Sequence, residues 1–232
     1  MLGLLFPLDE ESRPFKASIN DQKPILRGKH QFIEGTYHGT LLAAAITGMG
    51  KVSAAMRAQA LIDYYSPRLL LLAGVAGCLT DEMMPGDIFI ASEICQHDVY
   101  APSKGTKWRD YRHHGQGIFL GDEGLHSTAL ALDWDKSNVF TGRLLTGDKA
   151  VATKDYTKKL IDKLKGKAVD MESAAVAQVA AYNDIPLLVV RVISDNANEN
   201  AMKDFQANFS NACQLLGEYL ELLLGKLIEK EL

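Results

Sequence analysis

Ala168-Val169-Asp170-Met171-Glu172-Ser173-Ala174-Ala175, followed further on by Val190-Arg191-Val192-Ile193-Ser194-Asp195, is the part of the chain that decides the fold. Residues 167–169 read as a strand and 171–182 as an Ala-rich helix, while 186–193 read as a strand buried on both faces. Two acids thus stand at a helix start, and a third, Asp195, ends an almost wholly apolar strand. In an α/β sheet the ends of the strands are where ligands bind, and a buried carboxylate is costly without a partner.

The same alternation runs outward along the chain. Residues 2–6 form a first strand, closed by Pro7 and the triplet Asp9-Glu10-Glu11. Residues 30–37 and 40–47 alternate polar and apolar around His38-Gly39, a hairpin. Gly48-Met49-Gly50 ends it, and 51–64 carry Ala54, Ala55, Ala58, Leu61 and Ile62 at helical spacing. Residues 68–73 form another buried strand, with the turn Gly74-Val75-Ala76-Gly77 at its end. Residues 87–91 and 93–97 read as one strand bent near its middle, 139–146 as a strand, and 155–164 as a helix. Between 98 and 117 the composition turns polar and aromatic without apolar period, a long loop of the kind that is functional or mobile. The tail 205–228 repeats Leu215, Leu216, Tyr219, Leu220, Leu223, Leu224 and Leu227 at three and four, a helix that lays its stripe on the sheet. No repeat or linker interrupts the pattern, so the expectation is an α/β fold in a single domain, 1–232.

Composition removes several function classes. Against 29 Asp+Glu stand 25 Lys+Arg, a net charge of −4 that builds no field for nucleic acid. Lys104, Lys107, Arg109 and Arg112 interleave with Trp108 and Tyr111, but one short cluster reads as a solvated loop. No stretch approaches the roughly 18 apolar residues of a membrane span. The start lacks a basic flank and a full apolar signal region, so a cytoplasmic location is expected. Cys78, Cys95 and Cys213 are scattered without C-x-x-C spacing and read as core thiols, neither metal ligands nor a disulfide. His113-His114 point apart and have no carboxylate at ligand spacing, and His97 beside Asp98 reads as a structural histidine. No metal and no cofactor is expected.

For the acids, two readings stand side by side. Glu11 is either an acid favoured by a helix dipole or a functional carboxylate beyond the first strand. Glu172 is either a cap or a carboxylate that accepts from the vicinal hydroxyls of a sugar. Strand alternation puts Arg191, Ile193 and Asp195 on one face, so Arg191 and Asp195 are expected either to look into one cleft or to form a structural ion pair. Neither glycine cluster matches a P-loop or a G-x-G-x-x-G, which excludes those nucleotide sites.

The acid after the first strand, T-G-M-G-K, A-G-V-A-G, P-G-D-I, V-D-M-E-S-A-A and V-V-R-V-I-S-D, taken in order from about residue 3 to 228, resemble the nucleoside phosphorylase/hydrolase superfamily. Within it the chain is most similar to the 5′-methylthioadenosine/S-adenosylhomocysteine nucleosidase family. The resemblance implies a mixed central sheet flanked by helices and a cofactor-free homodimer that takes a small nucleoside. It also implies roles. Glu11 would hold and deprotonate a water, with Arg191 positioning both. Met171 would pack on the sugar and Glu172 would bind its 2′- and 3′-hydroxyls. Asp195, supported by Ser194, would protonate or hydrogen-bond N7 of the leaving purine. Met49 and Phe205 would line the nucleoside pocket, and Val151 would meet the base through its backbone. The 98–117 loop would complete the neighbouring subunit's pocket.

Two branches separate on particular residues. Phosphorylase relatives hold phosphate with an Arg and a hydroxyl around A-G-x-A-G, where this chain has Leu72 and Val75, and Phe6-Pro7-Leu8-Asp9 offers no early phosphate site. Water is therefore the expected nucleophile. Val75 stands where the nucleosidase family carries Ser, and Ala150 where it stacks a Phe on the base. Losing that ring face weakens stacking by on the order of 1 kcal/mol or makes room for another group. Futalosine hydrolase, a related branch, and a purine nucleoside phosphorylase are the alternatives.

Overall fold

The apolar runs at 2–6, 68–73 and 186–193 become the buried centre of one mixed sheet. The structure is a computed structural model and describes residues 1–99 and 117–230. Among them the order is β1 (Leu2–Phe6), α1 (Asp9–Lys16), β2 (Asn20–Arg27), β3 (His30–Tyr37), β4 (Thr40–Ile46), α2 (Lys51–Tyr65), β5 (Leu70–Cys78) and β6 (Ile88–Gln96). Then follow β7 (Ile118–Leu120), α3 (Glu123–Leu130), β8 (Val139–Thr146), α4 (Lys154–Leu164), β9 (Ala168–Asp170), α5 (Ser173–Tyr182), β10 (Leu187–Asp195) and α6 (Ala201–Glu229).

The strands join in the order β10-β6-β8-β9-β5-β1-β4-β3-β2, and β7 pairs with β6. β10 also pairs with β5, so β5, β9, β8, β6 and β10 close on themselves while β1, β4, β3 and β2 extend as a wing. Pairing is parallel for β1 with β4 and β5, for β5 with β10, and for β8 with β6 and β9. It is antiparallel along the wing's outer edge and between β6 and β10.

Two cores result, one on each face, because side chains alternate along a strand. On one face Leu70, Leu72, Val189 and Ile193 pack against Ala54, Ala58 and Leu61 of α2 and Ala174 and Ala177 of α5. On the other, Leu71, Val190 and Val192 meet Leu216, Leu220, Leu223 and Leu224 of α6, whose Tyr219 hydroxyl donates to the Ala129 carbonyl at 2.7 Å. No helix among the described residues is long and apolar enough to cross a membrane.

The hairpin around His38-Gly39 and the strand at 139–146 match the expected spans, and the bend in β6 is a register shift between Ala91 and Glu93. Three expectations need correction. Gly74-Val75-Ala76-Gly77 is not a turn, because β5 runs through it to Cys78. β10 continues to Asp195, and α5 begins only at Ser173, leaving Met171 and Glu172 in the turn before it. Four elements carried too little pattern to be delimited: α1, β7, α3 and β2. The last is an exposed edge strand containing Pro24, tolerated where no inner partner needs its N–H. Of the 98–117 loop, residues 100–116, with Lys104, Trp108, Arg109, Tyr111, Arg112 and the histidine pair, lie outside the described residues.

Candidate active site

At the C-terminal ends of β1, β5, β9 and β10 a cavity of about 430 Å³ opens. Its floor holds Glu11, Glu172 and Asp195, and its walls include Met49, Val75, Ala150, Val151, Met171, Ser194, Met202 and Phe205. Every sequence-predicted site residue except Arg191 lines it. A larger groove of about 670 Å³ lies against the wing, and its one carboxylate, Asp9, is tied to Arg13 and Lys16.

Glu11 sits one turn into α1 and is 1 % exposed. Oε2 accepts the Leu8 N–H at 2.7 Å, the reach-back bond of a glutamate at the third helical position. Oε1 accepts the Val75 N–H at 2.8 Å from β5. The helix-cap reading and the functional reading therefore describe the same side chain. Burial raises its carboxyl to about 7, although Arg191 and the two N–H donors pull the other way.

Glu172, 4 % exposed, stands at the N-cap position of α5, where its side chain turns away from the helix and accepts the Gly50 N–H at 2.8 Å. Gly48 and Gly50 have φ of 77° and 89°, so the 48–50 turn that brings this N–H to the carboxylate requires glycine. Burial, and then the nearby Asp170 charge, raise the Glu172 carboxyl to about 7. Asp195 accepts from the Ala197 N–H at 2.9 Å and the Ser194 hydroxyl at 2.8 Å. Burial raises its carboxyl above the ordinary aspartate value. Glu11 and Glu172 can exchange protons near neutrality, and burial moves Asp195 in the same direction, which suits general acid–base work.

Arg191 corrects the expectation of a shared cleft with Asp195. It is fully buried behind the wall and pairs with Asp170, Nε at 3.0 Å and Nη2 at 2.7 Å from the same oxygen. Alternation fails as a guide because the β10–β5 register shifts between Ile193 and Asp195. Asp170 was missed. The signal is present in V-D-M-E-S and in the rule that a buried Arg needs a partner, for which the spacing also offers Asp195. Thr146 and Ser173, which bind Asp170, were missed with it.

The cavity's mouth is built differently. Met49 and Met202 are 65 % and 67 % exposed, and Lys149 and Ala150 are exposed as well. Val151 beside them is buried. The segment is pinned from behind: Asp148 Oδ1 accepts the Lys51 N–H at 2.8 Å, and the Asp148 N–H donates to Asp98, which pairs with Lys51 Nζ at 2.6 Å. His97 is a structural histidine, buried and hydrogen-bonded to the Tyr156 hydroxyl at 3.0 Å. Cys78, Cys95 and Cys213 are all buried.

Residues 2–228 match the family model described as the phosphorylase superfamily. The 5′-methylthioadenosine/S-adenosylhomocysteine nucleosidase of Shewanella pealeana is 30 % identical over 99 % of both chains. The aminodeoxyfutalosine nucleosidase of Helicobacter pylori is 28 % identical over 97 % of this chain and 98 % of its own. The solved S. pneumoniae 5′-methylthioadenosine/S-adenosylhomocysteine nucleosidase, in complex with a transition-state inhibitor, superposes with a TM-score of 0.91. It is 26 % identical, with 97 % of this chain and 99 % of the other covered. With this fold, this cavity and these relatives, the chain belongs to the phosphorylase superfamily and, within it, to the 5′-methylthioadenosine/S-adenosylhomocysteine nucleosidases, which are N-glycosidic hydrolases.

Proposed function

We propose that the whole chain, 1–232, acts as one unit that hydrolyses the N-ribosidic bond of a 5′-substituted purine nucleoside, 5′-methylthioadenosine or S-adenosylhomocysteine, and releases adenine. The observation that carries this reading is the set of buried carboxyl groups, Glu11, Asp170, Glu172 and Asp195, around one apolar-walled cavity, with Asp170 held by Arg191. Cleavage builds positive charge on the sugar and leaves the bonding electron pair on the base. Asp195 gives a proton to, or hydrogen-bonds, N7 as that charge develops, with Ser194 orienting its carboxyl. Glu11 takes a proton from water as the water oxygen bonds C1′, and Arg191 tempers the Glu11 charge from behind. Each such transfer is worth roughly 10²–10⁴ in rate. Glu172 accepts from the 2′- and 3′-hydroxyls, Met171 packs on the sugar, Met49 and Phe205 enclose the nucleoside, and Val151 meets the base edge.

Water is favoured over phosphate as the nucleophile. Around Glu11 the cavity offers Pro7, Leu8 and Val75, and Leu72 is buried in the core. None of these side chains binds an anion, and the Glu11 carboxylate repels one. The assay is base release with and without inorganic phosphate. Equal rates are expected, and strict phosphate dependence would replace this reading with a phosphorylase. Futalosine-type nucleosides are the second reading, favoured by Ala150, which leaves the base side open, and by the H. pylori relative.

A homodimer is part of the proposal. Val52 and Met56, one turn apart on α2, are 80 % and 53 % exposed, and Met49 in the turn before α2 is 65 % exposed at the cavity mouth. Light scattering on the purified chain is expected to give twice the 25.4 kDa monomer mass. A cytoplasmic place in methionine salvage goes with this substrate class.

A further inference from the structure

Arg191 is 0 % exposed, yet its Nη1 has no hydrogen-bond partner. Its other nitrogens are fully engaged. Nε and Nη2 donate to Asp170 Oδ2, and Nη2 also reaches the Ser173 hydroxyl at 3.0 Å. The direction of Nη1 follows from Gly74: a Cβ built there would lie 2.4 Å from Nη1 and 2.8 Å from Glu11 Oε1. The bare Cα of Gly74 is thus a window across which the guanidinium and the Glu11 carboxyl face each other.

The position of Asp170 is over-determined. Oδ1 accepts from the Thr146 hydroxyl at 2.6 Å and the Ser173 N–H at 3.3 Å, and Oδ2 accepts from the Ser173 hydroxyl. Thr146 Oγ1 is itself fixed by the Ala174 N–H at 2.9 Å. Two elements, β8 and α5, thereby hold a carboxylate that stands at the end of β9.

We propose that Asp170 is a positioning residue for the hydrolysis: it draws Arg191 into a two-nitrogen grip that keeps the guanidinium from collapsing onto Glu11, so that Glu11 remains basic enough to accept the proton of water. This rests on the assignment of Glu11 as the base. Without the Asp170 charge, Arg191 acts on Glu11 uncompensated and the carboxyl becomes more acidic. The charged or titratable groups facing Glu11 are Arg191 from β10, Glu172 from the turn before α5 and Cys213 from α6. Losing the Asp170 charge also lowers the Glu172 carboxyl, which it now raises.

The test pairs a titration with kinetics. Carboxyl-carbon NMR of the full chain, with the Glu11 signal assigned by its loss in Glu11→Gln, gives the Glu11 midpoint without substrate. In Asp170→Asn the midpoint is expected to fall by about one pH unit or more, and kcat on methylthioadenosine by up to the order of 10²-fold with KM little changed. Asp170→Glu keeps the charge and is expected to restore the midpoint and part of kcat. An unmoved midpoint in folded Asp170→Asn overturns the proposal, as does a loss of KM alone. If that variant does not fold, Thr146→Val and Ser173→Ala loosen the grip with both charges kept. Each is expected to lower kcat at constant KM, and wild-type kcat in both overturns the proposal. Failure of the wild type to release any base would refute the nucleosidase reading instead, and the titration alone would then decide the role of Asp170.

Discussion

The floor and the mouth of the cavity are built on opposite principles. On the floor each carboxyl is buried and receives hydrogen bonds from backbone or side-chain donors on fixed strands and turns. At the mouth Met49, Lys149, Ala150 and Met202 are exposed, and Lys149 Nζ lies over the Tyr156 ring at 4.8 Å. A group held by several hydrogen bonds tolerates little substitution. An exposed apolar wall tolerates much. The contrast implies that the bond broken is set by the floor and the group accepted is set by the mouth.

The comparison is tested most severely at Asp195. Asp195→Asn keeps the shape but removes the acid, and turnover is expected to fall by roughly 10²–10⁴ with the melting temperature near that of the wild type. Unchanged turnover would sink the acid role.

Glu11→Gln is expected to lose turnover and to show what burial of that acid costs. The folded value, about 7, lies above the ordinary 4.5, so the folded state favours the protonated form. Its stabilising contribution is full below the unfolded value and lost as pH rises through about 7. Chemical denaturation of variant and wild type should therefore show the variant gaining, between about pH 4 and about pH 8, up to about 3 kcal/mol relative to wild type. A gap independent of pH would contradict the raised pKa. In the wild type, loss of the ionised base predicts that kcat/KM falls as pH drops below about 7.

Glu172→Gln keeps an acceptor for the Gly50 N–H but loses the charge that binds the sugar hydroxyls. A fall in kcat/KM of roughly tenfold to hundredfold is expected, with a smaller effect on 2′-deoxy substrates. Equal losses on ribo and deoxy substrates would remove the diol role. The smallest effect belongs to the mouth. Ala150→Phe restores a ring face beside the base, and KM for methylthioadenosine should fall by a few-fold, about 1 kcal/mol. A change in kcat as large as that of Glu172→Gln would mean that floor and mouth are not separable.

Much of this was legible in the sequence because burial leaves a pattern. Leu70–Leu72 and Leu187–Val190 read as doubly buried strands, and the α6 stripe from Leu215 to Leu227 reads at helical spacing. β2 was illegible because an exposed edge strand has no buried face to impose alternation. Glu11, Glu172 and Asp195 were marked by an acid at the end of an apolar run. Asp170 carried the same mark in the same motif, but its partner Arg191 lies on another strand, and a cross-strand pair leaves no spacing to read. The Gly74 cluster misled for a related reason: glycine there answers a clash with Arg191 and Glu11, not a turn.

The most direct measurement is chromatography of free base after incubating the purified chain with methylthioadenosine, S-adenosylhomocysteine, futalosine and inosine. Adenine from the first two, without added phosphate and absent from Asp195→Asn, is the predicted result. Tight binding of these nucleosides with no base released from any of them would contradict the account.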